Sequence, residues 1–375
     1  HSRSARITIQ PYLNNLTPNS VSILWETNKE SRSDIYYGLN SSCSKSKTGT
    51  ISRYLYHKPD SLNPPSFSSN LHKVTLTKLK PGMVYYYQVR SAEKPSPVYT
   101  FKTLSDQAQA FRFGVLGDTR TDDFAHSTVI NQMLLYDYDF LIHLGDFQDN
   151  FSSRALRINF FEIEQPLLSF YSIFPVRGNH DDLLWYQEYF KLPKHQPTEL
   201  PKSFYSFNYQ GTYFIILDTD VSLLPGTTAY NWLTQELARA QADPQRNFTF
   251  LFSHQPFYSG YAHFYGVDAL SYLAPLFRQY DVSAGFAGHV HLYERLDVSG
   301  KPFFISGGGG APPFYTCEPD QLLLDMEEAS SGEIITEQRY GCYYEFLIIL
   351  VGPGYFQASA YDWNGLLIDN IIYYK

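Results

Sequence analysis

What constrains this chain first is a change of hydrophobic period near residue 105. Upstream, apolar and polar residues alternate in short runs: SVSILWET (20–27), SDIYYGL (33–39), HKVTLTKL (72–79), MVYYYQVRS (83–91) and PVYTFKTL (97–104), with a Pro81-Gly82 turn. A period of two sets one face of each run against a core, so residues 1–104 are expected to form a small β-sandwich. SDQAQA (105–110) is small, polar and unpatterned, and reads as a linker. Beyond it, apolar strands alternate with helical spacing. FRFGVLGD (111–118), DFLIHLGD (139–146), SIFPVRGNHDD (172–182), YFIILDTD (213–220), FTFLFSHQP (248–256) and VSAGFAGHVH (282–291) are the strands. AHSTVINQMLLY (125–136), SRALRINFFEIEQPLLSFY (153–171), NWLTQELARAQA (231–242) and ALSYLAPLFRQY (269–280) are the helices. That alternation predicts a second domain, 105–375, of α/β class with helices covering a buried sheet. The tail from 343 returns to strands joined by Gly-Pro-Gly and Asn-Gly turns, an antiparallel meander.

Five of the strands end in polar clusters: Gly117-Asp118-Thr119-Arg120, Gly145-Asp146, Gly178-Asn179-His180-Asp181, Ser253-His254 and Gly288-His289-Val290-His291. Ligands of an α/β sheet gather outside the carboxyl ends of its strands, so these clusters can converge. Carboxylate, amide oxygen and imidazole together suit a transition metal better than a calcium cage or a thiolate site. Singly each cluster says little. His143, inside FLIHLGD, is assigned to the core, because a histidine beside a core strand is more often a hydrogen-bonded structural residue. The ordered set of five is the signal.

Composition narrows the partners. A formal net charge of −8 argues against a duplex nucleic-acid binder or a general ligand of anionic membranes. No run approaches the roughly 18 apolar residues of a membrane-spanning helix. The expected partner is a small molecule, and the charge leaves no preference for oligomeric state. The chain begins HSRSARITIQ, without an initiator Met or an apolar leader, so the natural start is expected to be missing and any export signal with it. Cys317 and Cys342 bracket an acidic stretch and either pair in an oxidising compartment or stay as two thiols. Sequons at Asn15, Asn40, Asn150 and Asn247 permit glycosylation there. Seven acids and no Lys or Arg fall within 318–337, which reads as a solvated excursion, with a lid over the site as the alternative. Gly307–Gly310 lacks the Lys and Ser/Thr of a nucleotide loop and reads as a tight turn near the site.

The order GD, GD, GNHD, H, GHVH resembles the calcineurin-like metallophosphoesterases. GHVHLYER (288–295) and HQPFY (254–258) are similar to the purple acid phosphatase branch, as are QPYLNNLTPNSVSILWET (10–27) and LKPGMVYYYQV (79–89) to its fibronectin-type-III-like leading domain. The resemblance leaves 311–345 as the main unmatched stretch, and implies two packed sheets flanked by helices in the second domain. It further implies two metal ions, among Fe, Mn and Zn, bridged by Asp146. Asp118, Asp146 and His291 would hold the first; Asp146, Asn179, His254 and His289 would hold the second. A metal-bound hydroxide would attack phosphorus in line. His180 would act as general acid or hydrogen-bond donor, with Asp181 available to orient it. His263 lies where the branch places another substrate-facing histidine; an ordinary loop histidine is the competing reading.

Two positions depart from the branch. Its GDxxY tyrosine, a ligand to ferric iron, is replaced by Asp149, which either ligates through oxygen or points away. Purple colour by tyrosinate charge transfer is therefore not expected. GDxG has become GDTR, and Arg120 either binds phosphate or pairs with Asp122, Asp123 or another carboxylate. The expectation is a secreted or periplasmic metal-dependent phosphatase acting on monoesters. A diesterase or nucleotidase on the same scaffold, and a non-catalytic binding protein with a degenerate centre, are the alternatives.

Overall fold

The structure is a computed structural model that describes residues 5–56, 67–149, 156–194, 196–261, 269–313 and 321–375. His263, Cys317 and Asn150 lie outside the described residues. Eight strands make the leading part: β1 (Ile7–Asn14), β2 (Val21–Thr27), β3 (Asp34–Gly38), β4 (Lys45–Thr48), β5 (Thr50–Tyr56), β6 (Phe67–Leu76), β7 (Val84–Val89) and β8 (Tyr99–Lys102). β1, β2, β6 and β5 lie side by side, and β4, β3, β7 and β8 form a separate four-stranded sheet. Ile23, Trp25, Leu71 and Val74 from the first group share a core with Ile35, Tyr85, Tyr87 and Phe101 from the second. Burial alternates along β7, as a period of two requires, whereas β2 is buried along its whole length and β4 is exposed.

The second part opens with β9 (Phe111–Leu116), β10 (Phe140–His143) and β11 (Ser172–Pro175), which are parallel. There follow β12 (Tyr205–Tyr209), β13 (Thr212–Ile216), β14 (Thr249–Ser253), β15 (Ala284–Ala287), β16 (Tyr293–Val298), β17 (Lys301–Ser306) and β18 (Ile335–Gly341). These seven make a second sheet in the order β12-β13-β14-β15-β17-β16-β18. The closing meander is β19 (Glu345–Gly352), β20 (Tyr355–Asp362) and β21 (Leu367–Tyr374), and β19 pairs antiparallel with β9. Phenylalanines fill the space between the two sheets. Phe113 lies 5.4 Å from Phe140 and 5.3 Å from Phe214, and Phe252 stacks 5.0 Å from Phe286. Offset and edge-on ring pairs pack such a layer densely, which is where much of the aromatic content goes. Helices Thr228–Ala242 and Leu270–Gln279 contribute Trp232, Leu233, Leu237, Leu273 and Phe277 to a second core cluster.

The sheet does not stop where the sequence pattern changes. β1 pairs in parallel with β11, Leu13 opposite Ser172 and Asn14 opposite Ile173, giving one ten-stranded sheet, β21-β20-β19-β9-β10-β11-β1-β2-β6-β5. Each of these two strands would otherwise present an unpaired edge. Around this seam the Tyr12 hydroxyl donates to the Tyr189 carbonyl at 2.7 Å, and Tyr87 to that of Ser169 at 2.7 Å. Glu26, 1% exposed, accepts from Tyr189 and Ser69 and pairs with Arg157.

Three local expectations need correction. The helix expected over 153–171 is described from Leu156, where it begins as a wide-turn π-helix to Glu162 and becomes α-helical over Ile163–Leu168. The acidic stretch, expected as a solvated excursion, is exposed at Asp325 but contains helix Gln321–Ser331 and leads into β18. Its count of acids hid a run free of Pro and Gly from 321 to 331, and Glu333 is buried. Third, β12, β16 and β17 were not anticipated, because each falls outside the apolar runs that end in polar clusters. Among the described residues no helix is long and apolar enough to cross a membrane.

Candidate metal centre

The five polar clusters meet at the carboxyl ends of β9, β10, β11, β14 and β15. Backbone bonds knit their turns together: Asp118 N–H to the Gly145 carbonyl at 2.9 Å, Gly288 N–H to that of His254 at 3.0 Å, and Ala311 N–H to that of Asp118 at 2.7 Å. The last places the Gly307–Gly310 turn against the site. Two glycines are there because nothing larger fits. A Cβ on Gly178 would lie 2.2 Å from Asp146 Oδ1, and one on Gly288 would lie 2.4 Å from Asp118 Oδ2. Asp118, Asp146 and His289 take positive φ values of 55°, 58° and 70°. Left-handed backbone at non-glycine residues costs of order 1–3 kcal/mol each and gathers at functional sites.

Four donor atoms face one point. His254 Nε2 is 2.9 Å from Asn179 Oδ1 and 3.3 Å from Asp146 Oδ1; His289 Nδ1 is 3.2 Å from Asn179 Oδ1 and 3.3 Å from His254 Nε2. Such separations are the edges of a polyhedron with metal–ligand bonds of about 2.0–2.2 Å. His254 Nδ1–H donates to the Leu144 carbonyl at 2.8 Å, which turns Nε2 toward the cluster. Asp118, Asp146 and His254 all present ligand atoms within 4.8 Å of one another.

The second group of donors lies on the other side of Asp146. Asp118 is fully buried; its Oδ2 accepts from His289 N–H at 2.8 Å, while Oδ1 has no hydrogen-bond partner and lies 3.5 Å from His291 Nε2. A buried carboxylate oxygen without a donor is costly unless a cation answers it. His291 Nδ1–H donates to the Pro312 carbonyl at 3.2 Å, again directing Nε2 inward. Arg120 borders this group, with Nε 3.1 Å from Asp146 Oδ2, Nη1 2.9 Å from Asp149 Oδ1 and Nη2 3.4 Å from His291 Nε2. Its partners are thus Asp146 and Asp149, not Asp122 or Asp123. Asp149 also accepts from the Thr121 hydroxyl at 2.6 Å, so its carboxylate is turned to the arginine.

Charge in the site is strongly coupled. Burial alone would raise the Asp146 pKa, but the charge and hydrogen bond of His254, with His180, outweigh it and hold the carboxyl well down. Burial would lower His254, but Asp146 and Asp118 carry it to about 10. Burial and the His254 charge push His289 down to about 4.

His180 is half-buried beside Asp146, and its backbone N–H donates to Asp146 Oδ1 at 3.0 Å. Asp181 does something other than orient His180. Its carboxylate accepts from the N–H groups of Asp146 at 2.8 Å, Phe147 at 3.1 Å and Gly178 at 2.8 Å, so it pins the turn that carries Asp146. Three amides pointing into one pocket draw the side chain there. Burial and the Asp146 charge raise its pKa to about 8. His143 is fully buried, bonded to Thr119 Oγ1 at 3.0 Å and stacked 4.1 Å from Phe147. Sequence reading missed Arg177, which pairs with Asp218 and Asp220 at 3.1 Å each and donates to the Asp181 carbonyl at 2.8 Å. Its place in VRGNHDD was the available signal. Cys342 is disulfide-bonded, whereas Cys43 is a buried free thiol.

Two domain profiles and several known proteins match the chain. Residues 111–293 match the calcineurin-like phosphoesterase profile, which supports a phosphoesterase enzyme. Residues 8–103 match the purple acid phosphatase N-terminal domain, which sets the chain beside that branch. It is 24% identical over 356 residues to "Probable purple acid phosphatase 20" of Arabidopsis thaliana, covering 88% of this chain and 81% of that one. With human "Acid phosphatase type 7" the identity is 25% over 313 residues, 74% of this chain and 68% of the relative. The fold matches the purple acid phosphatase PPD1 of yellow lupin (Lupinus luteus) seeds at a TM-score of 0.77, with 17% identity, covering 96% of this chain and 73% of the lupin chain.

Proposed function

We propose that the chain hydrolyses phosphomonoesters at a centre of two metal ions, among Fe, Mn and Zn, bridged by Asp146. The observation that carries this reading is the convergence of Asp146, Asn179, His254 and His289 on one point, with Asp118 Oδ1 and His291 on the other side of the same aspartate. Ions bound there would polarise the phosphoryl group and draw negative charge away from it as the ester bond breaks. The protein's own groups do the rest. His180, fixed by its backbone bond to Asp146, donates a proton or a hydrogen bond to the leaving oxygen. Arg120 offers a planar fork to the remaining phosphate oxygens. His263 stays a candidate for contact with the substrate. Asp149 is engaged by Arg120 and Thr121, which supports a protein without a tyrosinate band. The disulfide at Cys342 supports an exported protein, and the relatives' names support action on a small phosphorylated substrate.

Parallel assays of a nitrophenyl monoester and a bis-nitrophenyl diester, alongside metal analysis, test the reading. Preference for the monoester is expected, with hydrolysis abolished and metal content reduced in Asp146→Asn. A dominant diesterase rate would shift the assignment to phosphodiesters, and surviving turnover in Asp146→Asn would remove the bridging role.

A further inference from the structure

Arg120 and Asp149 are the two places where this chain leaves the pattern of its branch, and the structure joins them. Arg120 Nη1 meets Asp149 Oδ1 at 2.9 Å, and the Thr121 hydroxyl holds the same oxygen at 2.6 Å from a residue with a φ of 80°. The guanidinium is thereby anchored over the donors of the first metal position, 3.1 Å from Asp146 Oδ2 and 3.4 Å from His291 Nε2. The donors of the second position, Asp146 Oδ1, Asn179 Oδ1, His254 Nε2 and His289 Nδ1, contact one another. Arg120 makes its bonds to Asp146 through Oδ2, the other oxygen.

We infer that the Arg120–Asp149 pair makes the two metal positions unequal, so that the Asn179–His254–His289 position fills first and the Asp118–His291 position fills weakly, in competition with Arg120. A guanidinium is a permanent cation, and a divalent ion on the same oxygen must either displace it or bear its repulsion. The two departures then form one device. Losing the tyrosine ligand removed a negative group that would have favoured the first ion, and the incoming aspartate serves the arginine instead. The inference rests on the ligand sets proposed above.

The test is a Mn²⁺ titration of the metal-stripped full-length protein, read by equilibrium dialysis with elemental analysis and by electron paramagnetic resonance. Wild type should retain one tight ion per chain, with an isolated-ion spectrum at one equivalent, and take up the other at least about tenfold more weakly. Arg120→Gly and Arg120→Gln, each checked for an intact thermal transition, should tighten the weak ion about tenfold or more and give a spin-coupled spectrum at two equivalents. Asp149→Asn, which releases the anchor, should move in the same direction by less. Two ions of equal affinity in wild type, or a gap unchanged in both Arg120 variants, would overturn the inference. Absence of any bound ion in wild type would overturn the ligand assignment along with it.

Discussion

His180 stands nearest to a clean test of chemistry against structure. It is half-buried, and the bond it lends to Asp146 comes from its backbone. His180→Ala should therefore keep the metal content and the fold while kcat falls by about 10²-fold or more, as removal of a proton donor does. Metal analysis and steady-state kinetics on one preparation decide it; loss of metal together with rate would make the residue structural. Asp118, Asp146, Asn179, His254, His289 and His291 were legible as candidates only as a set, because five successive apolar runs close in such groups while each cluster alone says little. Their supports were not. Asp181 spends its carboxylate on three amides that become neighbours through folding, and Arg177 reaches Asp218 across 41 positions of sequence.

At the scale of elements, the turn after β14 is held by acids from the far end of the chain. Glu294, fully buried on β16, accepts from the Gly260 N–H at 3.0 Å and the Ser259 hydroxyl at 3.0 Å. Glu327 accepts from the Ser259 N–H at 3.1 Å, and Glu333 takes the Tyr258 hydroxyl. Burial carries both Glu294 and Glu327 up to about 8. Folded protein thus keeps protons that the unfolded chain releases near its ordinary glutamate value, and stability falls as pH rises between about 4.5 and 8, by at most about 1.4 kcal/mol per unit for each group. Metal-loaded wild type should melt lower at pH 8 than at pH 5, and Glu294→Gln should lose less across that window. Equal losses in the two proteins would show that Glu294 does not titrate there. None of this was legible in the acidic stretch, whose charges suggest water and whose partners lie about 70 positions away, as with Ser259 and Glu327. Strands β9, β10, β11, β13, β14 and β15 were legible for the opposite reason: burial on both faces leaves an apolar run that needs no partner to be seen.

For the whole molecule, the continuous ten-stranded sheet and the network around Glu26 predict one cooperative unfolding event. Calorimetry of wild type should show a single transition. Glu26→Ala, which leaves Arg157 and Tyr189 without their buried acceptor, should lower that transition as a unit, with a cost of about 3 kcal/mol. A separate early transition for the leading part would refute the coupling. Sequence patterning does not reveal the junction of β1 with β11, since their parallel pairing spans only two matched residue pairs. The same junction governs how the protein can be handled. A shortened version starting after the linker would carry an open strand edge at Ser172–Pro175, framed by apolar Ile173 and Phe174, and that edge recruits whatever strand it meets first. Self-association through that edge, rather than a smaller working enzyme, is what trimming would yield.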